Sequence, residues 1–438
     1  MVIFITLVAI IVVAFFVLSR KEKSPNTQNN GLNTNIIDDK NIKIVHVTDI
    51  HYLSPSLTDY GKSFVDTIEK SDGKMMRYID QIMDAFVLEM IRIKPDLVIV
   101  SGDMTYNGEK ESHIGLANKF KILKDKGIKV LVLPGNHDLE NEMALAFEGD
   151  ATRPVETVTI EEFEEIYKDY GYGKDDPDVV SRDKKSLNYV YQLGNKCHLI
   201  MVETSTKGND QTISNSSYRW IEKWLRKAKD MNMRVIGVSH QNILAHNKLF
   251  IAGYKITNSS RLVDLYNKYN VRINLSGHMH IQHMAEHKRV HDIALACLGL
   301  YPNLYGVLDM DLRNNMTYHT ESLDVAYWMK KYKHQDSDLL DFENTSREYF
   351  VRCTRLQTEK QLAKLDLSKE DKEMMMDFMV DTNIHYFSGS LDKRPDLCLD
   401  NPAYKLWMDH CERTFTGSYL NSIYTDTISD HNMLEIFQ

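Results

Sequence analysis

Apolar and polar positions along this chain change their pattern three times. From residue 2 to residue 18 nearly every position is apolar, and Ser19-Arg20-Lys21-Glu22-Lys23 follows. Residues 24–40 are Asn-rich and polar, the composition of a flexible spacer. From 42 onward short β-branched runs recur, at 42–47, 96–100, 128–133, 198–202, 234–238, 271–275, 293–297 and 305–310. Helical periodicity lies between them: in 74–93, Met75, Ile79, Ile82, Phe86 and Met90 repeat at three or four, and Pro95 ends the helix. Strands alternating with helices predict a layered α/β architecture. The strand pattern stops near 312. From 335 to the end the chain reads as helices at 339–365, 369–387 and 403–424, broken at Gly389 and Pro395. Ser368, with Glu370 and Asp371 in the first turn, caps the second of these. Its stripe of Met374, Met375, Met376, Phe378 and Met379 reads as core. The expected organisation is an N-terminal segment 1–19, a linker 20–40, an α/β domain 41–312 and a helical C-terminal domain 335–438, without internal repeats.

The first segment is at the short end for a membrane span. No cysteine near it could carry a lipid, and no small-x-small site precedes the basic cluster, so an uncleaved anchor is expected rather than a signal peptide. The positive-inside rule, read literally, keeps the body in the cytoplasm. The apolar run begins at residue 2, however, so no upstream flank can be weighed, and the expectation leans to an extracytoplasmic domain. With 438 residues, 43% hydrophobic and 26% charged, the body is of ordinary globular composition. A net charge of -9 argues against a general nucleic-acid surface. An anionic substrate would need a local positive feature, which a bound metal can supply. The five cysteines show no metal-binding spacing. Cys197 and Cys297 fall in apolar runs and read as core, whereas a disulfide among Cys353, Cys398 and Cys411 stays open.

Chemistry gathers where the strands end. Ser276-Gly277-His278-Met279-His280 follows the run 271–275, and residues two apart in extended backbone point the same way. An H-x-H among 17 histidines says little alone. Yet Thr48-Asp49-Ile50-His51 follows the first strand, Ser101-Gly102-Asp103 the second, Pro134-Gly135-Asn136-His137-Asp138 the third and Ser239-His240 the run 234–238. All five lie at carboxyl ends of strands, where α/β sheets place their sites. Three carry a glycine just before the polar group, which permits close backbone approach. Five such blocks in order are hard to read as unrelated polar residues. Tyr52 could line the same pocket. His113 and His246 read as helix or loop histidines with ordinary hydrogen bonds, and His283, His287 and His291 as surface residues of a strand connection.

The ordered set D-x-H, G-D, G-N-H-D, H, G-H-x-H resembles the calcineurin-like metallophosphoesterases over roughly residues 41–310. Thr48 to Leu53, Asp72-Gly73-Lys74, Ser101 to Thr105 with Asn107-Gly108-Glu109, and Ser186-Leu187-Asn188-Tyr189 are similar to a bacterial branch. That branch has a helical C-terminal extension and includes cyclic-nucleotide phosphodiesterases. The resemblance implies a four-layer sandwich of two mixed β-sheets flanked by helices, plus an all-helical C-terminal domain. It also implies two divalent metals sharing Asp103, one held by Asp49, His51, Asp103 and His280, the other by Asp103, Asn136, His240 and His278. His137 would face the substrate, with Asp138 next to it and able to orient its ring. The chemistry agrees. Two divalent ions less the charges of Asp49 and Asp103 leave about two positive charges for a phosphate. A shared carboxylate holds such ions roughly 3.5–4 Å apart, so that a bridging hydroxide can attack phosphorus in line. His137 is placed to stabilise the developing charge or protonate the leaving oxygen. Ligands of nitrogen and oxygen without thiolate suit Mn, Fe or Zn. The expectation is a dimetal phosphodiesterase acting on a nucleotide or other small phosphodiester. The same centre could cleave monoesters or pyrophosphates. A reading from another class is a membrane-anchored metal-binding scaffold without turnover, against which the intact His137-Asp138 pair speaks. Selectivity would lie in the segments 53–73 and 140–183 and in the helical cap.

Overall fold

The computed structural model describes residues 41–70, 73–206 and 211–437. The expected anchor 1–19 and linker 20–40 lie outside the described residues. Among the described residues, no helix is long and apolar enough to cross a membrane.

Two mixed sheets form the body. The six-stranded sheet runs in the order Met433–Ile436, Met316–Ser322, Leu304–Met310, Ile42–Val47, Leu97–Ser101 and Lys129–Leu133. Its last three members are parallel, whereas Leu304–Met310 runs antiparallel to Ile42–Val47. The seven-stranded sheet runs His283–His287, Val290–Ala294, Ile273–Ser276, Arg234–Ser239, Cys197–Val202, Tyr189–Leu193 and Val179–Arg182. Strand periodicity separates its two faces. Tyr189, Tyr191, Leu199, Met201, Ile236 and Val238 point into the large core shared with the other sheet. The intervening Val190, Ile200, Val202 and Val235 point into a second core, covered by the helices Asn215–Asp230 and Ser260–Tyr269. On the far side, Ile79–Ile93 and Lys110–Asp125 pack into the large core. Helices, sheet, sheet and helices make the four expected layers.

The C-terminal helices are Ser337–Leu340, Phe342–Leu362, Lys369–Phe387, Pro402–Cys411 and Phe415–Tyr424. Lys369–Phe387 has the predicted bounds, and Ser368 caps it by accepting from the Asp371 amide. Met375, Met376, Phe378 and Met379 pack with Trp407 and Leu420 in a core of their own, as their pattern predicts, whereas Met374, expected in the same stripe, is exposed.

Several expectations are corrected. The strands do not end near 312, and the C-terminal region is not all helical, because Met316–Ser322 and Met433–Ile436 both join the six-stranded sheet. The first is half polar, and the second buries little beyond Ile436, so neither carries a strong apolar pattern. The run 293–297 is shifted, the strand being Val290–Ala294. His283, His287 and His291 belong to strands rather than to a connection, and His283 is buried. The segment 140–183 contains a hairpin of Leu145–Glu148 with Ala151–Pro154 and the helix Ile160–Ile166, which a Thr159–Glu162 capping box starts. All five cysteines are free thiols.

Candidate metal centre

The loops leaving both sheets at their carboxyl ends tie into one another. The Asp49 amide donates to Gly102 O at 3.0 Å, and the His51 amide to Asp103 O at 2.9 Å. The Gly277 amide donates to His240 O at 3.0 Å, and the ring Nδ1 of His240 to Ser101 O at 3.0 Å. This packing leaves no room at two glycines. A Cβ on Gly135 would collide with Asp103, and one on Gly277 with Thr48 and Asp49. Asp49, His51, Asp103, His278 and His280 all have left-handed backbone, with φ of 51°, 49°, 45°, 69° and 57°. Such conformations cost about 1–3 kcal/mol each in a non-glycine residue and persist where the surroundings dictate them.

The seven residues expected as ligands converge. Ligand atoms of Asp49, His51, Asp103 and His280 form one cluster, and those of Asp103, His240 and His278 a second. In the first, His51 Nε2 lies 3.0 Å from His280 Nε2 and 3.9 Å from oxygens of both Asp49 and Asp103. In the second, His240 Nε2 lies 3.3 Å from Asp103 Oδ2, 3.2 Å from His278 Nδ1 and 3.0 Å from Asn136 Oδ1. Asp103 Oδ2 therefore faces both clusters, while its Oδ1 accepts from the His137 amide at 2.9 Å. Asp49 divides its oxygens likewise. Oδ2 accepts from the His278 amide and from Thr48, and Oδ1 is buried without a hydrogen-bond partner, 3.2 Å from His280 Nε2.

Electrostatics fit a cation here. Among the described residues the ion-pair partners of Asp49 and Asp103 are histidines. Burial raises the pKa of Asp103, but His240, His137 and His51 more than reverse this and hold it well below the usual carboxylate range. Asp49 likewise ends below that range, burial being outweighed by His280 and then His240. Burial would lower His240, yet the carboxylates of Asp103, Asp49 and Asp138 lift it to about 9. Burial, with Lys74 and His137 adding to it, pulls His51 well below its ordinary value, and burial takes His278 down to about 4. Two buried carboxylates, Asp49 with an unpartnered oxygen, thus lie beside the imidazoles of His51 and His278 that burial holds neutral and a His240 ring that the carboxylates hold protonated. They form a donor set that a divalent metal satisfies by displacing that proton.

His137 stands at the edge of this group, its Nε2 3.9 Å from Asp103 Oδ2 and its side chain about one-third exposed. Its Nδ1–H has two acceptors, Tyr106 O at 2.8 Å and Asn107 Oδ1 at 2.9 Å, which leaves Nε2 directed at the site. The expectation that Asp138 orients this ring is corrected. The Asp138 carboxylate accepts from the amides of Gly135, Met104 and Thr105 and from the Thr105 hydroxyl. Since Met104 and Thr105 follow Asp103, and Gly135 precedes Asn136, Asp138 fastens two ligand loops together. Burial, then Asp103, raises its pKa to about 6.

Tyr52 is buried and donates to Asp80, away from the cluster. His113 is a buried helix residue bonded to Tyr167 and to Asp138 O, as the ordinary reading expects. The sequence reading missed Asn107, Gly253 and Asp292. Gly253 O accepts from His278 Nε2 at 2.9 Å. Buried Asp292 accepts from the amides of Ile243 and Leu244 and from Asn274 and Ser276, pinning the loop beyond His240. Only Asn107 had a signal, its place in the Asn107-Gly108-Glu109 motif.

Two protein-family models match this chain. A family model described as calcineurin-like phosphoesterase matches residues 42–282, and one described as the C-terminal domain of cyclic nucleotide phosphodiesterase matches 324–430. A probable cyclic nucleotide phosphodiesterase from Ruthia magnifica subsp. Calyptogena magnifica is 30% identical over 95 residues, 22% of this chain and 38% of that protein's length. A probable glycerophosphodiester phosphodiesterase from Arcobacter nitrofigilis is 24% identical over 300 residues, 66% of this chain and 89% of that protein. A solved structure of a dimetal phosphatase from Danio rerio, 12% identical, covers 64% of this chain and 96% of its own, with a TM-score of 0.46.

Proposed function

The chain belongs to the calcineurin-like phosphoesterase family, hydrolases of phosphoester bonds, and from that premise we propose that it is a phosphodiesterase acting on a nucleotide or another small phosphodiester at a centre of two divalent ions. The observation that carries this is Asp103 Oδ2, which faces two separate ligand clusters. Two ions held there would supply an activated water and neutralise phosphoryl oxygens. Ligands of nitrogen and oxygen without sulfur favour Mn, Fe or Zn. Asp49 and Asp103 cancel part of the metal charge and leave about two positive charges for an anionic substrate. His137, its Nδ1–H committed to Tyr106 and Asn107, moves a proton at Nε2 and can pass it to the departing alkoxide. Preference for a diester is supported by the names of both relatives and of the C-terminal family.

The test is hydrolysis by the full-length chain with added Mn. Bis-p-nitrophenyl phosphate, p-nitrophenyl phosphate and cyclic AMP are compared, with His137→Ala as control. Diester turnover that disappears in the control is expected. Turnover of the monoester alone would overturn the diester preference. Metal binding with no turnover on any of the three would favour the scaffold reading. The apolar run 2–18 supports a further part of the proposal, that the enzyme is held at a membrane. Placing its catalytic domain outside the cytoplasm, against the literal positive-inside reading, is the part that protease access tests. Release from membranes by detergent but not by salt, with the domain open to external protease in intact cells, is the expected result.

A further inference from the structure

Between His240 and the helix Ser260–Tyr269 the chain makes a long excursion. Its near side touches the metal centre and its far side touches the C-terminal helices. On the far side buried Asn247 donates to the Tyr386 hydroxyl at 2.8 Å and to Ser422 Oγ at 3.0 Å, and Lys248 Nζ donates to Thr425 O at 2.7 Å. The Phe250 ring lies 6.1 Å from that of Phe415 and 6.3 Å from that of Tyr419. On the near side, Phe250 packs on Tyr254 at 5.2 Å, Tyr254 packs on His278 at 5.3 Å, and Gly253 O takes the Nε2–H of His278. That bond fixes the tautomer, so His278 can offer only Nδ1 to a metal, the atom that faces His240 Nε2. Alternation adds a second grip: His278 and His280 enter the ligand clusters, whereas Met279 and Ile281 pack into the core of the C-terminal helices.

We propose that the C-terminal helices act, through the loop 247–254, as the positioning element for His278 and hence for the metal site of Asp103, Asn136, His240 and His278. The inference rests on the dimetal reading. The site of Asp49, His51, Asp103 and His280 meets this loop only indirectly, through the His278 amide that Asp49 Oδ2 accepts and through the shared Asp103. Asn247 and Phe250 are positioning residues, each acting through Gly253 and Tyr254. Partners that fix a ligating imidazole are worth roughly ten- to a hundredfold in metal affinity.

The test is titration of the full-length, metal-free chain with Co(II), followed by visible absorption. His278→Ala identifies the component belonging to its site. In both Asn247→Ala and Phe250→Ala that component is expected to bind roughly ten- to a hundredfold more weakly, with a shifted band, while the other keeps its affinity and spectrum. Two ions bound by both variants with unaltered affinities and spectra would overturn the inference, and so would equal weakening of both sites. A wild-type chain that takes up a single ion would instead overturn the dimetal reading beneath it. Phe250, half-buried, keeps the test open should Asn247→Ala fail to fold.

Discussion

Replacing Asp138 with alanine separates two roles for a residue beside the candidate general acid. In the structure its carboxylate accepts three backbone amides, from Gly135 at 2.7 Å, Met104 at 3.2 Å and Thr105 at 2.9 Å, all buried. Leaving each of them unpaired costs about 1–3 kcal/mol, or about 6 kcal/mol for the three at a central value. The native carboxylate is itself under pressure. Its pKa of about 6, against an ordinary 3.8, means that the charge costs about 3 kcal/mol at pH 7, which alanine gives back. The net expectation is a loss of about 3 kcal/mol in the metal-free protein. The sign of the pH dependence follows. A carboxyl with a raised native pKa contributes stability below pH 3.8 that is lost as pH rises through about 6. Wild type therefore gains on going from pH 7 to pH 5 by about 1.4 kcal/mol, the variant does not, and the gap widens. Urea unfolding of chelator-treated protein at both pH values measures this. With excess metal the variant should keep its turnover within about tenfold, because Tyr106 and Asn107 still hold His137. Unchanged unfolding together with a turnover as low as that of His137→Ala would refute the reasoning.

Two further results are expected. Asp103→Asn should lower the affinity of both metals together, since Oδ2 faces both clusters, and two tightly held ions per chain after dialysis would contradict the sharing. Burial, then His283, holds His431 down to about 3, so wild type loses stability as pH falls below about 6.5, at about 1.4 kcal/mol per unit. His431→Gln, which loses the stacking on His283, should be the less stable at pH 7 and recover about 2 kcal/mol of the gap by pH 5, read from urea midpoints.

The ligands were legible because each is a side chain of distinctive chemistry placed directly after an apolar run. Asp49, His51, Asp103, Asn136, His240, His278 and His280 all meet where those positions predicted. The helix Lys369–Phe387 was legible for a similar local reason, a cap followed by a periodic stripe. What escaped depends on distant partners. Gly253 acts through a carbonyl that every residue owns, and only tertiary packing brings it to His278, 25 residues on. Asp138 looks like a ring-orienting acid by adjacency, but its neighbours in space are amides of another loop. Met433–Ile436 becomes a strand because Met316–Ser322 offers it an edge more than a hundred residues back.

The left-handed backbone at Asp49, His51, Asp103, His278 and His280 has a consequence for how this chain would change under selection. Glycine is the relaxed residue at such positions, and ligand chemistry, helped at Asp49 and Asp103 by the hydrogen bonds each accepts, keeps aspartate and histidine there. A population diversified at random and sorted for folded, heat-resistant protein, with no demand for turnover, should drift at these five positions early, toward glycine or asparagine. Their order of loss would outline the active centre before any substrate is known, and a lineage stabilised in this way would keep its shape while losing its chemistry.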